Sequence, residues 1–214
     1  MARIKGISVA KLLEKKYKTF DFDGVWREVM GTPEVSGFWL IYGAEKQGKT
    51  WFALKLAEYL SQFEKTLYIS AEQGYSWGFQ QSCSRAGIDP TNPKMKIVPY
   101  VKLDELEKTL KRQRAPKVVI IDNITTYNDE LKNGKLRKLQ MNYKDTLFVF
   151  VAHEEKNEPY TAIAKLCKKL AEIIIRVEGL ACQVSGRCPS GVLTIDEEKA
   201  MLYQSSTIIK QINQ

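Results

Sequence analysis

The chain has 214 residues, of which 44% are hydrophobic and 27% charged, which is typical of a globular domain large enough to bury a full core. No apolar run approaches the roughly 18 residues of a membrane span, so we expect a cytoplasmic protein without a membrane partner. The four cysteines follow no zinc-ligand spacing, which favours free thiols. The net charge of +8 favours a polyanion such as nucleic acid, although a solvated lysine-rich surface would give the same count.

Residues 1–36 are predicted to form an N-terminal leader segment. Val9, Leu12 and Leu13 indicate a short helix, which is also basic. Such a helix fits against a neighbouring subunit or DNA, or caps the core, and we favour the cap. Gly31-Thr32-Pro33 then interrupts the chain before the first strand.

A glycine-containing loop dominates the next stretch and has the form G-x-x-x-x-G-K-T. It follows an apolar, strand-like run at 38–42 and precedes helical apolar spacing over 52–63. In a strand–loop–helix unit, backbone N–H groups and the helix N-terminus bind phosphates, Lys49 reaches the β- and γ-phosphates, and the Thr50 hydroxyl binds Mg²⁺. The predicted nucleotide-binding residues are Gly43, Ala44, Glu45, Lys46, Gln47, Gly48, Lys49, Thr50 and Trp51.

Two acids follow predicted buried strands. Glu72 comes just after the strand at 66–70, and Asp122 ends the continuous apolar run at 118–121. Because parallel strands in right-handed βαβ units end at one edge of a sheet, Glu72 should lie beside the phosphates, where a base for the attacking water is needed. Asp122 should hydrogen-bond the water shell of Mg²⁺.

The second half of the chain contains the only histidine and a basic stretch. His153 stands at the tip of a predicted strand over 146–152, next to the acid strand, and is therefore a candidate γ-phosphate sensor. Arg187 lies on a hairpin tip bounded by glycine and proline. The predicted DNA-binding cluster consists of Lys132, Lys135, Arg137 and Lys138. Closing strands are predicted over 173–177, 180–184, 191–195 and 201–203, and a polar tail over 205–214.

Together these motifs resemble the RecA-type ATPase core, in particular the RadA and DnaB-like branch that contains hexameric replicative helicases. The resemblance covers about residues 37–203, and it implies an α/β fold whose mainly parallel central sheet is flanked by helices and closes in C-terminal antiparallel strands. The core domain is accordingly placed at 37–204.

The resemblance also implies roles for individual residues. Glu72 takes the place of the family's catalytic glutamate, and Asp122 that of its metal-binding acid. His153 takes the place of the residue that couples the γ-phosphate to the DNA loops. Arg187 is similar to the arginine finger that enters a neighbour's site, although its segment lacks the lysine of the family's K-x-R-x-G form.

The activity implied is Mg²⁺-dependent ATP hydrolysis coupled to DNA, expected to be single-stranded. It would act in replication, recombination or repair, in a homo-oligomeric ring or filament, with helicase-like translocation as an extension. DNA would contact two short loops, 125–140 and 154–162. The alternative is a nucleotide-gated assembly or loading protein that binds ATP with little turnover and engages replication, recombination, phage or plasmid proteins. A P-loop kinase would need an arginine-rich lid, which we do not find.

Overall fold

The computed structural model describes residues 6–203 as one large sheet with helices on both faces. The strands are β1 (Gly37–Gly43), β2 (Thr66–Ser70), β3 (Met95–Pro99), β4 (Val118–Asp122), β5 (Leu147–Glu155), β6 (Glu158–Pro159), β7 (Ile173–Glu178), β8 (Ala181–Gly186) and β9 (Gly191–Thr194). The helices are α1 (Val9–Leu13), α2 (Gly24–Met30), α3 (Lys49–Phe63), α4 (Trp77–Ala86), α5 (Leu103–Leu110), α6 (Lys135–Asn142) and α7 (Ala162–Leu170), with a 3-10 helix at Ile124–Tyr127.

The strand order is β3-β2-β4-β5-β1-β7-β8-β9, and β6 pairs with the end of β5. In this spatial order, every neighbouring pair between β3 at the edge and β7 is parallel. The pairs β7–β8 and β8–β9 are antiparallel. β1 and β4 are continuously apolar because both of their faces are covered. The predicted α/β class, with its parallel sheet and antiparallel closing strands, is confirmed.

Two apolar cores lie on opposite faces of the sheet, because successive residues of a strand point to opposite sides. Trp39 and Ile41 of β1 belong to one core, and Phe38 and Leu40 belong to the other. The segment before β1 contributes Phe20, which stacks on a neighbouring aromatic ring in the first core. The N-terminal segment therefore packs as part of the hydrophobic interior from this residue onward.

Two local predictions were wrong. Residues 201–203 are helical and not a strand, because a helix begins after Asp196, whose side chain accepts a hydrogen bond from the Lys199 N–H at 3.1 Å. β5 runs two residues beyond His153 and forms a hairpin with β6, so this histidine is inside the strand and not at its tip.

Within residues 6–203, no helix is both long and apolar enough to cross a bilayer. All four cysteines are free thiols. The predicted polar tail at 205–214 lies outside the described residues.

Candidate nucleotide site

The glycine loop joins β1 to α3 and requires glycine at both ends for steric reasons. A Cβ at Gly43 would lie 2.2 Å from the carbonyl oxygen of Val177 on β7. Gly48 has φ of +101°, and a Cβ there would lie 2.7 Å from Leu180. These contacts fix the loop between β1 and the turn after β7, with the N-terminus of α3 behind it. This is the arrangement that presents backbone N–H groups to an anion.

Lys49, the first residue of α3, turns back into the loop. Its Nζ donates a hydrogen bond to the carbonyl oxygen of Ala44 at 2.6 Å, and the residue is only 7% exposed. Burial lowers the pKa of Lys49, while the nearby carboxylates of Asp122 and Glu72 act in the opposite direction. A phosphate oxygen would replace the Ala44 carbonyl as a stronger, charged partner for this ammonium group.

Asp122 accepts two hydrogen bonds on the same carboxylate oxygen. Thr50 Oγ1 donates at 2.8 Å and the Tyr68 hydroxyl at 2.7 Å. Burial raises the pKa of Asp122, whereas these two hydrogen bonds lower it. A hydroxyl and a carboxylate side by side are the hard oxygen donors that Mg²⁺ prefers, so Thr50 and Asp122 fit the predicted metal-binding role.

Tyr68 was not identified from the sequence. The signal available was a tyrosine in an otherwise buried strand, since a buried phenol needs a hydrogen-bond partner. Nothing in the sequence showed that the partner would be Asp122 on the adjacent strand β4.

The second acid, Glu72, is held by two neighbours. Asn123 Nδ2 donates to Glu72 Oε2 at 3.2 Å, and His153 Nε2 lies 3.3 Å from the same oxygen. The backbone N–H groups of Ala71 and Glu72 both donate to the carbonyl oxygen of Asp122, which joins the ends of β2 and β4. The order of the strands thus brings Glu72, Asp122 and His153 to one edge, with β5 between β1 and β4.

These groups line one open cavity of about 650 Å³. Trp51 forms part of its wall, and its ring is approached by two cations, Arg85 at 5.5 Å and Lys199 at 5.2 Å. Arg85 lies on α4 and Lys199 on the helix after β9, so neither was associated with the loop in the sequence. The predicted residues that line the cavity are Glu45, Lys46, Gly48, Lys49, Thr50, Trp51, Glu72, Asp122 and His153.

Arg187 lies at the side of the sheet where the parallel strands begin, opposite the side that carries the glycine loop. β8 runs antiparallel to β7, so Gly186 is opposite Ile173, near the start of β1 and remote from the glycine loop. The backbone N–H of Arg187 donates to the carbonyl oxygen of Glu172 at 2.7 Å, and the two side chains attract each other electrostatically. This arginine does not belong to the cavity of its own chain, and a role in a neighbour's cavity stays a prediction.

Of the predicted DNA-binding residues, Lys132 lies in the loop between the 3-10 helix and α6, and the other three lie on the exposed side of α6. All four are exposed, and none lines the nucleotide cavity. Lys132 forms an ion pair with Asp129 at 2.6 Å, which neutralises part of the cluster.

Comparisons with known proteins agree with this fold. A family model described as iSTAND, inactive STAND, matches residues 20–163. The DNA repair protein RadA of Aquifex aeolicus (strain VF5) is 24% identical over 134 residues, which are 61% of this chain and 28% of that protein, so the chain spans little more than a quarter of that relative.

Two crystal structures are similar at low identity. The flagellar accessory protein FlaH from Methanocaldococcus jannaschii has a TM-score of 0.60 and 15% identity, over 85% of this chain and 96% of that one. The KaiC-like protein PH0186 from Pyrococcus horikoshii OT3 has a TM-score of 0.58 and 16% identity, over 79% and 88%. These similarities confirm the RecA-like P-loop fold.

Proposed function

The chain belongs to the inactive STAND family, and we propose that it is nevertheless an Mg²⁺-dependent ATP-binding domain that keeps the groups needed for hydrolysis. One observation carries the proposal. Lys49, Thr50, Glu72, Asp122 and His153 come from four separate strands or strand–helix junctions and line a single cavity. Convergence of this set from distant parts of the chain is what phosphoryl transfer to water requires.

Each residue has a role that follows from its position. Lys49 and the N-terminus of α3 bind the phosphates. Thr50 and Asp122 would hold the metal, which would supply positive charge to neutralise the phosphates. Glu72 accepts a proton from the attacking water and is oriented by Asn123. His153 lies against the carboxylate of Glu72, the base that would face the γ-phosphate. The position of His153 is therefore coupled to that of Glu72.

The second candidate is a nucleotide-gated switch that binds ATP with little turnover. The family description as inactive favours it. So does the position of Arg187, which leaves the cavity without this arginine unless a neighbour in a homo-oligomeric ring or filament supplies it. In that case the chain would bind ATP tightly and release little or no phosphate, whether or not it assembles.

Two substitutions separate binding from chemistry. Lys49→Ala should abolish Mg²⁺-dependent binding of a fluorescent ATP analogue. Glu72→Gln should retain binding and reduce phosphate release by about 10²–10⁴-fold, the usual contribution of a general base. Glu155→Gln makes the same change on the β5–β6 hairpin, outside the cavity, and should leave both quantities unchanged.

The outcomes discriminate between the two candidates. Turnover that survives Glu72→Gln would contradict the hydrolytic role of the cavity. Wild-type protein that binds Mg²⁺·ATP but releases no phosphate at any protein concentration would favour the switch. Loss of binding in all three variants would indicate a folding defect, which circular dichroism would reveal.

The finer part of the proposal is that DNA, expected to be single-stranded, stimulates turnover. The net charge of +8 supports it, as does the similarity to a protein named for DNA repair. Membership of the RadA and DnaB-like branch and helicase-like translocation belong to the same proposal. We expect Lys135→Glu with Arg137→Glu to lower the maximal stimulation of phosphate release by single-stranded DNA. Unchanged stimulation would exclude this part of α6 as the effector surface.

A further inference from the structure

A groove rich in cations lies at the edge of the sheet where the parallel strands begin, opposite the nucleotide cavity. The groove has a volume of about 330 Å³ and lies between the starts of β2 and β3 and the segment that follows α5. Five of its lining residues are basic, and we call this surface the basic groove: Lys65, Lys94, Lys96, Arg112 and Arg114.

The positive charge of the basic groove is not compensated within residues 6–203. No carboxylate lines the groove, all five basic side chains belong to exposed residues, and none of them forms an ion pair. The only side-chain hydrogen bond among them runs from Lys94 Nζ to the carbonyl oxygen of Gln62 at 2.9 Å. Five like charges around one concavity repel each other, and an anionic ligand would relieve that repulsion.

Protection of the outermost strand from pairing with other chains explains only some of the basic residues in the groove. β3 is the last strand of the sheet, and a lysine such as Lys96 discourages other chains from pairing with an open edge. Lys65 lies before β2, and Arg112 and Arg114 lie before β4, so none of these three is on the edge strand. Three separate segments thus direct positive charge into one groove, which points to a ligand.

We propose that the basic groove binds the sugar–phosphate backbone of a nucleic acid. Two arginines among the five cations suit phosphate groups, because a guanidinium can donate two parallel hydrogen bonds to phosphate oxygens. No aromatic side chain lines the groove, so the groove offers no ring on which a base could stack. Contacts of this kind position a nucleic acid without reading its sequence.

A membrane surface fits the groove less well. Binding of a protein surface to anionic lipid is strengthened by exposed apolar side chains beside the basic residues. The large exposed apolar residues of the described chain, such as Trp77, Tyr75 and Tyr160, do not line the groove. A concave site without an apolar anchor favours a polyanionic strand over a flat bilayer.

The inference deepens the DNA-binding part of the proposed function and is independent of ATP hydrolysis. The test is the affinity for a fluorescently labelled DNA oligonucleotide, measured by anisotropy between about 50 and 200 mM salt. Lys96→Glu with Arg112→Glu should weaken binding at least tenfold at low salt. The double variant should also reduce the slope of log affinity against log salt by about 2, since each lost phosphate contact lowers it by about 1.

The matched control changes the net charge equally at a different surface. Lys165 and Lys169 are exposed on α7, and Lys165→Glu with Lys169→Glu should change the affinity less than threefold. Equal losses in the two double variants would show an effect of net charge only and overturn the proposal. No loss in the groove variant, or binding of phosphatidylserine vesicles in preference to DNA through the same residues, would overturn it as well.

Folding and the proposed function are monitored separately. Thermal unfolding and binding of the fluorescent ATP analogue should be unchanged in both double variants, because all four substituted residues are exposed and remote from the nucleotide cavity. Failure of the wild type to bind any DNA would overturn both the groove and the DNA-dependent part of the function, while the results on ATP binding and Glu72 would stand.

Discussion

The hydroxyl of Tyr68 favours ionisation of Asp122, the proposed metal-binding acid, and Tyr68→Phe removes this hydroxyl while leaving the ring. It donates to Asp122 across 2.7 Å, and both residues are buried. A hydrogen bond to a charged group contributes about 1.5–3 kcal/mol. Burial raises the pKa of Asp122 and the hydrogen bond from Tyr68 lowers it, so the substitution should raise this pKa further.

The sign of the pH dependence follows from linkage. Because burial places the pKa of Asp122 above its value in the unfolded chain, ionisation of this carboxylate lowers the free energy of unfolding as the pH rises. The Tyr68 hydroxyl offsets part of that loss only when Asp122 is ionised. Tyr68→Phe should therefore lower the free energy of unfolding by about 1.5–3 kcal/mol above the pKa of Asp122. The corresponding decrease in Tm is about 3–12 °C for a chain of this size. Below that pKa the loss should be much smaller.

Urea unfolding of the wild type and Tyr68→Phe across a series of pH values measures this difference. Tyr160→Phe provides the same chemical change at an exposed tyrosine and should have little effect at any pH. An equal loss at acidic and alkaline pH would show that Tyr68 acts through packing and not through the Asp122 carboxylate, and would refute the reasoning. As the pH is lowered, the affinity for Mg²⁺·ATP should also begin to decrease at a higher pH in Tyr68→Phe than in the wild type.

Three further predictions test the geometry. Gly43→Ala should destabilise the protein by about 1–3 kcal/mol or more, because its Cβ would meet the Val177 carbonyl oxygen, and an unchanged urea midpoint would contradict the contact. Glu130 accepts a hydrogen bond from the Leu103 N–H at 2.7 Å at the start of α5, so Glu130→Ala should cost about 0.5–2 kcal/mol in the same assay. Mg²⁺·ATP should change the tryptophan emission, and Trp51→Phe should abolish most of that change because Trp51 alone of the four tryptophans lines the cavity.

The sequence predicted those parts of the site that are local. The loop from Gly43 to Thr50 is a contiguous motif whose spacing reflects phosphate geometry, and Glu72 and Asp122 each follow a recognisable buried strand. The rule that parallel strands end at one edge of a sheet was then sufficient to bring these acids to the loop. His153 followed from the same rule, although the hairpin beyond it was missed.

Contacts between distant segments could not be predicted in this way. Arg85 approaches Trp51 from α4, and Lys199 approaches it from the helix after β9. Nothing in their local sequence distinguishes these two residues from other surface cations. The basic groove was missed for the same reason, since its cations come from three separate segments. The contiguous cluster around Lys135 was conspicuous in the sequence, yet the structure shows that Lys132 in that cluster is paired with an acid.

The positions of the cavity and the basic groove also limit the effect that the proposed binding of nucleic acid could have on the proposed hydrolysis of ATP. β2 and β4 connect the two sites: Lys65 precedes β2 and Glu72 follows it, while β4 begins beside the groove and ends in Asp122. Each strand spans about 17 Å at roughly 3.3 Å per residue. Both are almost wholly buried and hydrogen-bonded on either side within the sheet, so we expect them to transmit little structural change from one site to the other.

The basic groove should therefore hold nucleic acid without activating the site. We expect Lys96→Glu with Arg112→Glu to raise the DNA concentration needed for half-maximal stimulation of phosphate release while the maximal rate stays within about twofold of the wild type. Substitution at Lys135 and Arg137 should have the converse effect, because their segment follows β4 on the side of the nucleotide cavity. A groove variant whose maximal rate falls with its affinity would show that the sheet has a second arrangement, and that the two edges are coupled through it.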